Sequence, residues 1–264
     1  LFIAAGVSKS LFIRSFSWVS GPDTVVGEFT YAAGKVPQFF QALYNADPQS
    51  AIIAATAIIA TIVVFVIAVY VQSMKVEIPL SFGRIRGHGI RWPLSFTYAN
   101  VIPVILVSAL LANMQLWARL LQNWGHPILG EIGPNGTAVS GFVSWIYAPG
   151  GQNGLLGMIV QQGTVLVGFR PYFQSIVYML IMVVGCVVFS YFWVQTSGMD
   201  SKSQAKQILS SGLQMPGFRK DQRIMERLLS RYINPLTIMG GATIGFLSSI
   251  ADILGALGRG TALL

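Results

Sequence analysis

Charge is scarce in this chain. Of its 264 residues, only 10% are Asp, Glu, Lys or Arg, where a water-soluble domain carries about 25%. So few charges cannot cover a water-facing surface, and much of the surface must face lipid instead. Cysteine is scarcer still. Cys186 stands alone inside an apolar run, which excludes an internal disulfide and leaves the redox compartment open. The only histidines are His88 and His126. A zinc site needs three or four converging ligands, and a serine nucleophile such as Ser8 needs a base beside it. The two histidines fall in loops that the charge pattern below assigns to opposite sides of a membrane, so neither constellation assembles. The reading is a protein without catalytic residues, metal or cofactor, and not an enzyme.

Long uncharged runs are what the chain has in place of charge, with 53% of its residues hydrophobic. A membrane-spanning helix needs about 20 mostly apolar residues. Four full spans are expected over residues 49–74, 94–118, 171–197 and 232–256, with a truncated fifth over residues 1–16 that contains Lys9. Each run is too long for a strand, and none alternates as a membrane β-strand does. The expected fold is all-α, a polytopic transmembrane helical bundle forming one membrane domain. Leu1 is not a Met and the first residues are already apolar, which predicts that the chain begins inside a span; no basic segment precedes it as in a cleavable signal peptide.

The net charge of +8 is unevenly placed. The connection at residues 75–93 carries Lys75, Arg84, Arg86 and Arg91, and that at 198–231 carries Lys202, Lys206, Arg219, Lys220, Arg223, Arg227 and Arg231. The alternate connections, 17–48 and 119–170, hold Lys35, Arg119 and Arg170, with Arg14 at the border of the first. Eleven basic residues against four place the two rich loops in the cytoplasm by the positive-inside rule and the two poor ones outside.

These loops have shape. Residues 73–92 alternate at Lys75, Val76, Glu77 and Ile78 and are punctuated by glycine, which predicts a short β-like excursion with Arg84 and Arg86 on one face. Residues 210–231 are expected to end in an amphipathic helix with Ile224, Leu228 and Leu229 on one side. A basic loop is commonly no more than a solvated face; two shaped ones on one side suggest docking of something acidic, RNA included. On the opposite side, Phe39, Phe40, Leu43 and Tyr44 after Pro37 suggest a short helix, either lying at the membrane interface or packed on the bundle. Residues 125–168, rich in Gly, Asn and Pro, predict an irregular loop.

Within the spans, the ionisable residues are Lys9 and Asp252, both read as lying near segment ends, where a side chain pairs or reaches the interface. The third span holds Asn100, Pro103, Asn113 and Gln115. Pro103 is expected to kink its helix, and the amides suit interhelical hydrogen bonds. Gly241 and Gly245 form a GxxxG pair suited to close helix packing.

Six stretches carry a family resemblance: LFIAAGVS (residues 1–8), KVEIPLSFGRIRG (75–87), IPVILVSALLANMQLW (102–117), GFRK (217–220), RYINPLT (231–237) and GALGRGT (255–261). In this order they resemble the SecY protein-conducting channel, in its archaeal branch. The resemblance implies that the chain covers the family's fifth to ninth helices, a C-terminal half fragment. It implies a passive conduit for secretory polypeptides with a lateral gate for membrane-protein insertion. By the same resemblance Ile3 and Ile105 match positions of the pore ring, Asn113 matches the polar position of the lateral gate, and Arg84, Arg86 and Arg219 match ribosome-docking positions. Lys9 departs from the uncharged polar residue expected there. The implied partners are SecE and a small beta subunit, the ribosome with its ribosomal RNA, the translocating polypeptide with its signal sequence, and the lipid bilayer. From the residues alone, a secondary transporter fragment or a ribosome-docking membrane scaffold stays open; the first would need a polar substrate pocket at the midplane.

Overall fold

The computed structural model describes residues 2–19, 25, 26, 29–82, 89–99, 101–133, 138, 140–148, 159, 169–214 and 221–257. Among them run eight helices: α1 (Phe2–Phe16), α2 (Lys35–Tyr44), α3 (Pro48–Ser73), α4 (Ile102–Asn123), α5 (Phe142–Ile146), α6 (Phe169–Thr196), α7 (Ser201–Ser210) and α8 (Gln222–Ile253). Five strands complete the described elements: β1 (Val25–Val26), β2 (Phe29–Thr30), β3 (Lys75–Phe82), β4 (Gly89–Ser95) and β5 (Leu213–Gln214). The architecture is helical, with α3, α4, α6 and α8 long and apolar enough to cross a membrane.

How these helices distribute size decides their solvent. On α3 the buried positions are small: Ala51, Ala54, Ala57, Ala60 and Ala68, with Val64 among them. The large apolar residues Ile52, Ile59, Ile62, Phe65, Val66 and Tyr70 are exposed. A soluble helix does the reverse, because burying large side chains is what drives it to fold in water. In lipid there is no such drive between helices, so small residues turn inward to let backbones approach, and large ones meet the acyl chains. Helix α6 buries one stripe, Ser175, Tyr178, Met182, Cys186, Ser190 and Val194, at the three- and four-residue spacing of a single helix face.

The chain divides into two compact units. The first comprises Leu1–Ile67, Ser108–Met182 and Phe246–Leu264, the second Ala68–Val107 and Val183–Gly245. In the first, α2 packs on α1, and the segment before α2 is tied down by hydrogen bonds. Ala32 N–H donates to Gln41 Oε1 at 2.8 Å, and the buried Tyr31 hydroxyl donates to Asp47 Oδ2 at 2.9 Å. Burial, then the Asp47 carboxylate, push the Tyr31 phenol up. A hydrogen bond from Ser50 holds the Asp47 carboxyl below its ordinary range. Leu257 N–H donates to Thr61 Oγ1 at 2.9 Å, fastening the segment after α8 to α3.

In the second unit, β3 and β4 form an antiparallel hairpin in which Lys75 faces Ser95 and Ser81 faces Gly89. Alternation sorts its faces. Val76, Ile78, Trp92 and Leu94 turn toward a core completed by Met225, Leu229 and Ile233 of α8 and Ile208 of α7, while Lys75, Glu77, Arg91, Pro93 and Ser95 are exposed. Tyr98 then donates its hydroxyl to the Met199 carbonyl at 2.7 Å, binding the post-hairpin segment to the α6–α7 turn.

Several expectations from the sequence are corrected here. The uncharged run that suggested a span over 94–118 begins as strand, with Leu94 and Ser95 in β4, and helix starts only at Ile102. Pro103 is the second residue of α4 and does not kink it, since a first-turn proline gives up an N–H that has no helical partner anyway. Pro37 likewise stands inside the first turn of α2. The amphipathic helix of the second basic loop and the last span are one helix, α8, that runs through Pro235. Its inward face is Met225, Leu229 and Ile233, with Leu228 packed against the same core and only Ile224 of the expected side exposed. Lys9 sits in the middle of α1 and is exposed. Asp252, at the end of α8, accepts a hydrogen bond from the Tyr178 hydroxyl at 2.8 Å.

Helix α8 is the most enclosed of the four long helices, with 56% of its apolar window buried against 22% to 28% for the others. Two adjacent glycines permit this. A Cβ on Gly241 would collide with Ser190 Oγ and stand 3.1 Å from the Cys186 carbonyl, and one on Gly240 would stand 2.7 Å from the Phe96 carbonyl. Gly241→Ala and Gly240→Ala should therefore each destabilise the protein by about 1–3 kcal/mol, the usual cost of overpacking. Gly6, with nothing within 4 Å of its Cβ position, should tolerate alanine at no loss. Thermal unfolding of the three variants in detergent checks the order.

Candidate functional site

The two basic loops meet in one sheet. Strand β5, on the chain segment between α7 and α8, adds to the hairpin edge, giving the order β4-β3-β5. Ser81 pairs with Gln214 and Phe82 with Leu213, antiparallel. The segment that follows Phe82 carries Arg84 and Arg86, and the segment that follows Gln214 carries Arg219; all three arginines lie outside the described residues. Their anchors are thus fixed to each other by backbone hydrogen bonds, although more than a hundred residues separate them in sequence. Backbone pairing positions a loop more firmly than a surface ion pair, which contributes less than about 1 kcal/mol. The Arg91–Glu77 bridge at 2.8 Å is of that exposed kind.

Below the hairpin in sequence, α4 carries two more candidates. Its buried stripe is Pro103, Val104, Val107, Leu111 and Ala118. Ile105, 42% exposed, and Asn113, also exposed, lie off that stripe. Around a helical wheel the eight-residue step from one to the other amounts to about 80°, so the two do not fall on a single line. Gly185 of α6 approaches the buried side, where its Cβ position lies 3.0 Å from Val107 Cγ2. Ile3 falls in the first turn of α1, and its side chain lies outside the described residues.

Reading the sequence missed what assembles this region. Gly240 and the Tyr98 hydroxyl carried no visible signal, because their partners at Phe96 and Met199 are remote in the chain. The β5 pairing was equally hidden, since a two-residue strand has no periodicity to detect.

A polytopic α-helical membrane protein with a small sheet on two of its loops is the class these features define. The family model described as SecY matches residues 1–264. Protein translocase subunit SecY of Methanocaldococcus jannaschii is 41% identical over 264 residues, covering all of this chain and 54% of that protein. The solved structure described as a protein conducting channel superposes with a TM-score of 0.76 at 41% identity, over all of this chain and 54% of that one. Sec61 in the canine ribosome-channel complex from the endoplasmic reticulum gives a TM-score of 0.70 at 40% identity, again over all of this chain and 54% of that one. The chain belongs to the SecY family and is part of a multi-pass membrane protein. It spans about half the length of the curated relatives it matches.

The shared sheet is open to direct test. Directly opposed residues of an antiparallel pair have Cα atoms about 4.5–5.5 Å apart, within disulfide range. Ser81→Cys combined with Gln214→Cys should cross-link on mild oxidation, and Lys75→Cys with Gln214→Cys should not. The native Cys186 is buried and does not compete. Gel mobility after proteolysis between the two positions reports the bond; its absence from the 81–214 pair would separate the loops.

Proposed function

We propose that this chain forms the half of a protein-conducting channel that docks the ribosome and supplies one side of the pore and of its lateral gate. The observation that carries this reading is the sheet that joins both basic loops, in a chain whose whole length matches a translocase subunit. In this reading the two loops are cytoplasmic, and Arg84, Arg86 and Arg219 form one cationic surface that meets ribosomal RNA. Secretory polypeptides cross a passive pore, with no bond made or broken by the channel, and signal sequences leave sideways past α4, where Asn113 lines the gate. SecE and a small beta subunit complete the assembly against helices whose large apolar faces, as on α3, are otherwise given to lipid. A transporter is less well supported, because the apolar runs carry so few charged residues from which a polar substrate pocket could be built.

Cationic contacts to RNA phosphates release counterions and make binding fall with salt. Arg86→Glu with Arg219→Glu, introduced into the full-length protein, should weaken ribosome binding and flatten its salt dependence by about one logarithmic unit per arginine. Membrane insertion should be unchanged. Co-sedimentation of proteoliposomes with ribosomes at several salt concentrations measures both quantities, and an unaltered slope removes the docking role.

A channel wide enough for a peptide must still retain ions at rest. Branched apolar side chains around a constriction do this by excluding water from it. Ile3→Gly with Ile105→Gly should therefore raise resting conductance in a planar bilayer while ribosome binding persists. Conductance equal to that of the unmodified channel would take both residues out of the ring.

A further inference from the structure

Helix α2 is too short to cross a membrane, since ten residues reach about 15 Å, half the hydrocarbon thickness. Its side chains are nevertheless sorted as on a lipid-facing span. Its inner side packs on α1, and its polar side chains are taken up within the protein. Gln38 is buried and accepts a hydrogen bond from Lys35 Nζ at 2.8 Å, while Gln41 Oε1 accepts the Ala32 N–H. The outward residues are Phe40, Leu43 and Tyr44, 62%, 57% and 92% exposed. Around the helical wheel these three and the half-buried Val36 fall within about 100°, and none of them carries charge. Lys35, the only charged residue of α2, stands about 80° outside that stripe. It alone of α2 lines the cavity of about 520 Å³ that Arg14, Arg119 and Asp252 share in the first unit, so the stripe turns away from that cavity. A helix bathed in water places its polar face outward; α2 does the opposite.

The corner into α3 holds this stripe in place. Ala46 takes the left-handed conformation, with φ of 54°. Its N–H donates to the Leu43 carbonyl at 3.3 Å and the Asp47 N–H to the Ala42 carbonyl at 2.9 Å, the paired closure that ends a helix and turns the chain. Asp47 Oδ1 then accepts from the Gln49 and Ser50 N–H groups at the start of α3, while its Oδ2 holds Tyr31. At the other end of α2, the Gly34 and Ala33 N–H groups donate to the Ser17 and Val19 carbonyls. That pairing brings Trp18, 73% exposed, beside the start of α2. Both ends of the helix are therefore fastened, and the span α3 opens at Pro48, three residues beyond Tyr44.

We propose that α2 is an interfacial helix, with Phe40, Leu43 and Tyr44 set in the boundary between headgroups and acyl chains on the side of the membrane where α3 enters. Lipid is the occupant because the stripe leads directly into the outward surface of α3, whose large apolar residues begin with Ile52, one turn into the span. The residue types agree. Tyr and Trp gather at this depth because an apolar ring carries one polar atom that stays hydrated. Phe and Leu supply the face that such a helix buries. Lipid contact of this kind needs the chain to span a membrane but does not need it to translocate.

The test uses the full-length protein in vesicles of phosphatidylcholine and phosphatidylglycerol, in a background whose reactive cysteines are replaced by serine. A nitroxide is attached at Phe40→Cys, Leu43→Cys or Tyr44→Cys, one at a time. Its collisions with molecular oxygen, which concentrates in lipid, and with a water-soluble nickel chelate are read by electron paramagnetic resonance. Ile59→Cys, exposed on α3 about 16 Å along the helix from Pro48, is the lipid reference. Glu77→Cys, exposed in the hairpin, is the water reference. The three α2 positions should give oxygen-to-nickel ratios between these two, at a depth of about 5–10 Å below the headgroups. A ratio equal to that at Glu77→Cys would put the stripe in water. Few collisions with either reagent would put it under protein, whether a second copy or another subunit. Each of those two results overturns the proposal. Three outward positions keep the outcome readable if one variant does not fold, and none of the readings depends on ribosome binding or conductance.

Discussion

A backbone amide in lipid has no water to turn to, and the whole structure follows from that. Every uncharged stretch long enough to cross must bond its own N–H and C=O groups, which makes it a helix. Once the helices exist, hydrophobicity no longer tells them where to pack, since lipid is as apolar as leucine. Packing is then set by how closely two backbones can approach. The pair Gly240 and Gly241 shows this at its sharpest: the neighbouring Phe96 carbonyl and Ser190 hydroxyl occupy the space that side chains would need. Alanines on α3 and the small and medium residues of the α6 stripe do the same job with less precision.

Where the chain leaves the bilayer the rules of water return. In the β3–β4 hairpin large apolar residues turn inward and charged ones outward, the opposite of α3. Helix α8 obeys both regimes within one rod. Its opening turns hold the sheet through Met225, Leu229 and Ile233, and its later turns carry the glycine pair. One helix thus holds both the sheet and the close-packed glycine pair. Pro235 removes one backbone bond along the way but faces outward, so the helix is carried through by its tertiary contacts.

Much of this was legible beforehand, and the reasons are physical. Shortage of charge and long apolar runs report the solvent directly, so the membrane class, the number of long helices and their order needed no fold. The resemblance to SecY rested on short stretches in fixed order, and the match over residues 1–264 agrees with it. Boundaries were harder. An uncharged run reads the same whether it is strand or helix, which is how Leu94 and Ser95 came to be counted with the span. Pro103 was misjudged for a related reason: whether a proline kinks or begins a helix depends on where the first turn falls, and Pro103 falls inside it.

The sequence by itself determined which segments can cross a membrane and which loops are basic. These are properties of composition and local order, and they need no partner in space. Only the tertiary structure decided that the two basic loops share a sheet, that Gly240 and Gly241 are points of backbone contact, and that Lys35 joins Arg14, Arg119 and Asp252 around one cavity. Each of those depends on residues far apart in the chain being brought within a few ångströms, and closeness of that kind leaves no periodicity, spacing or motif in a single sequence from which to read it.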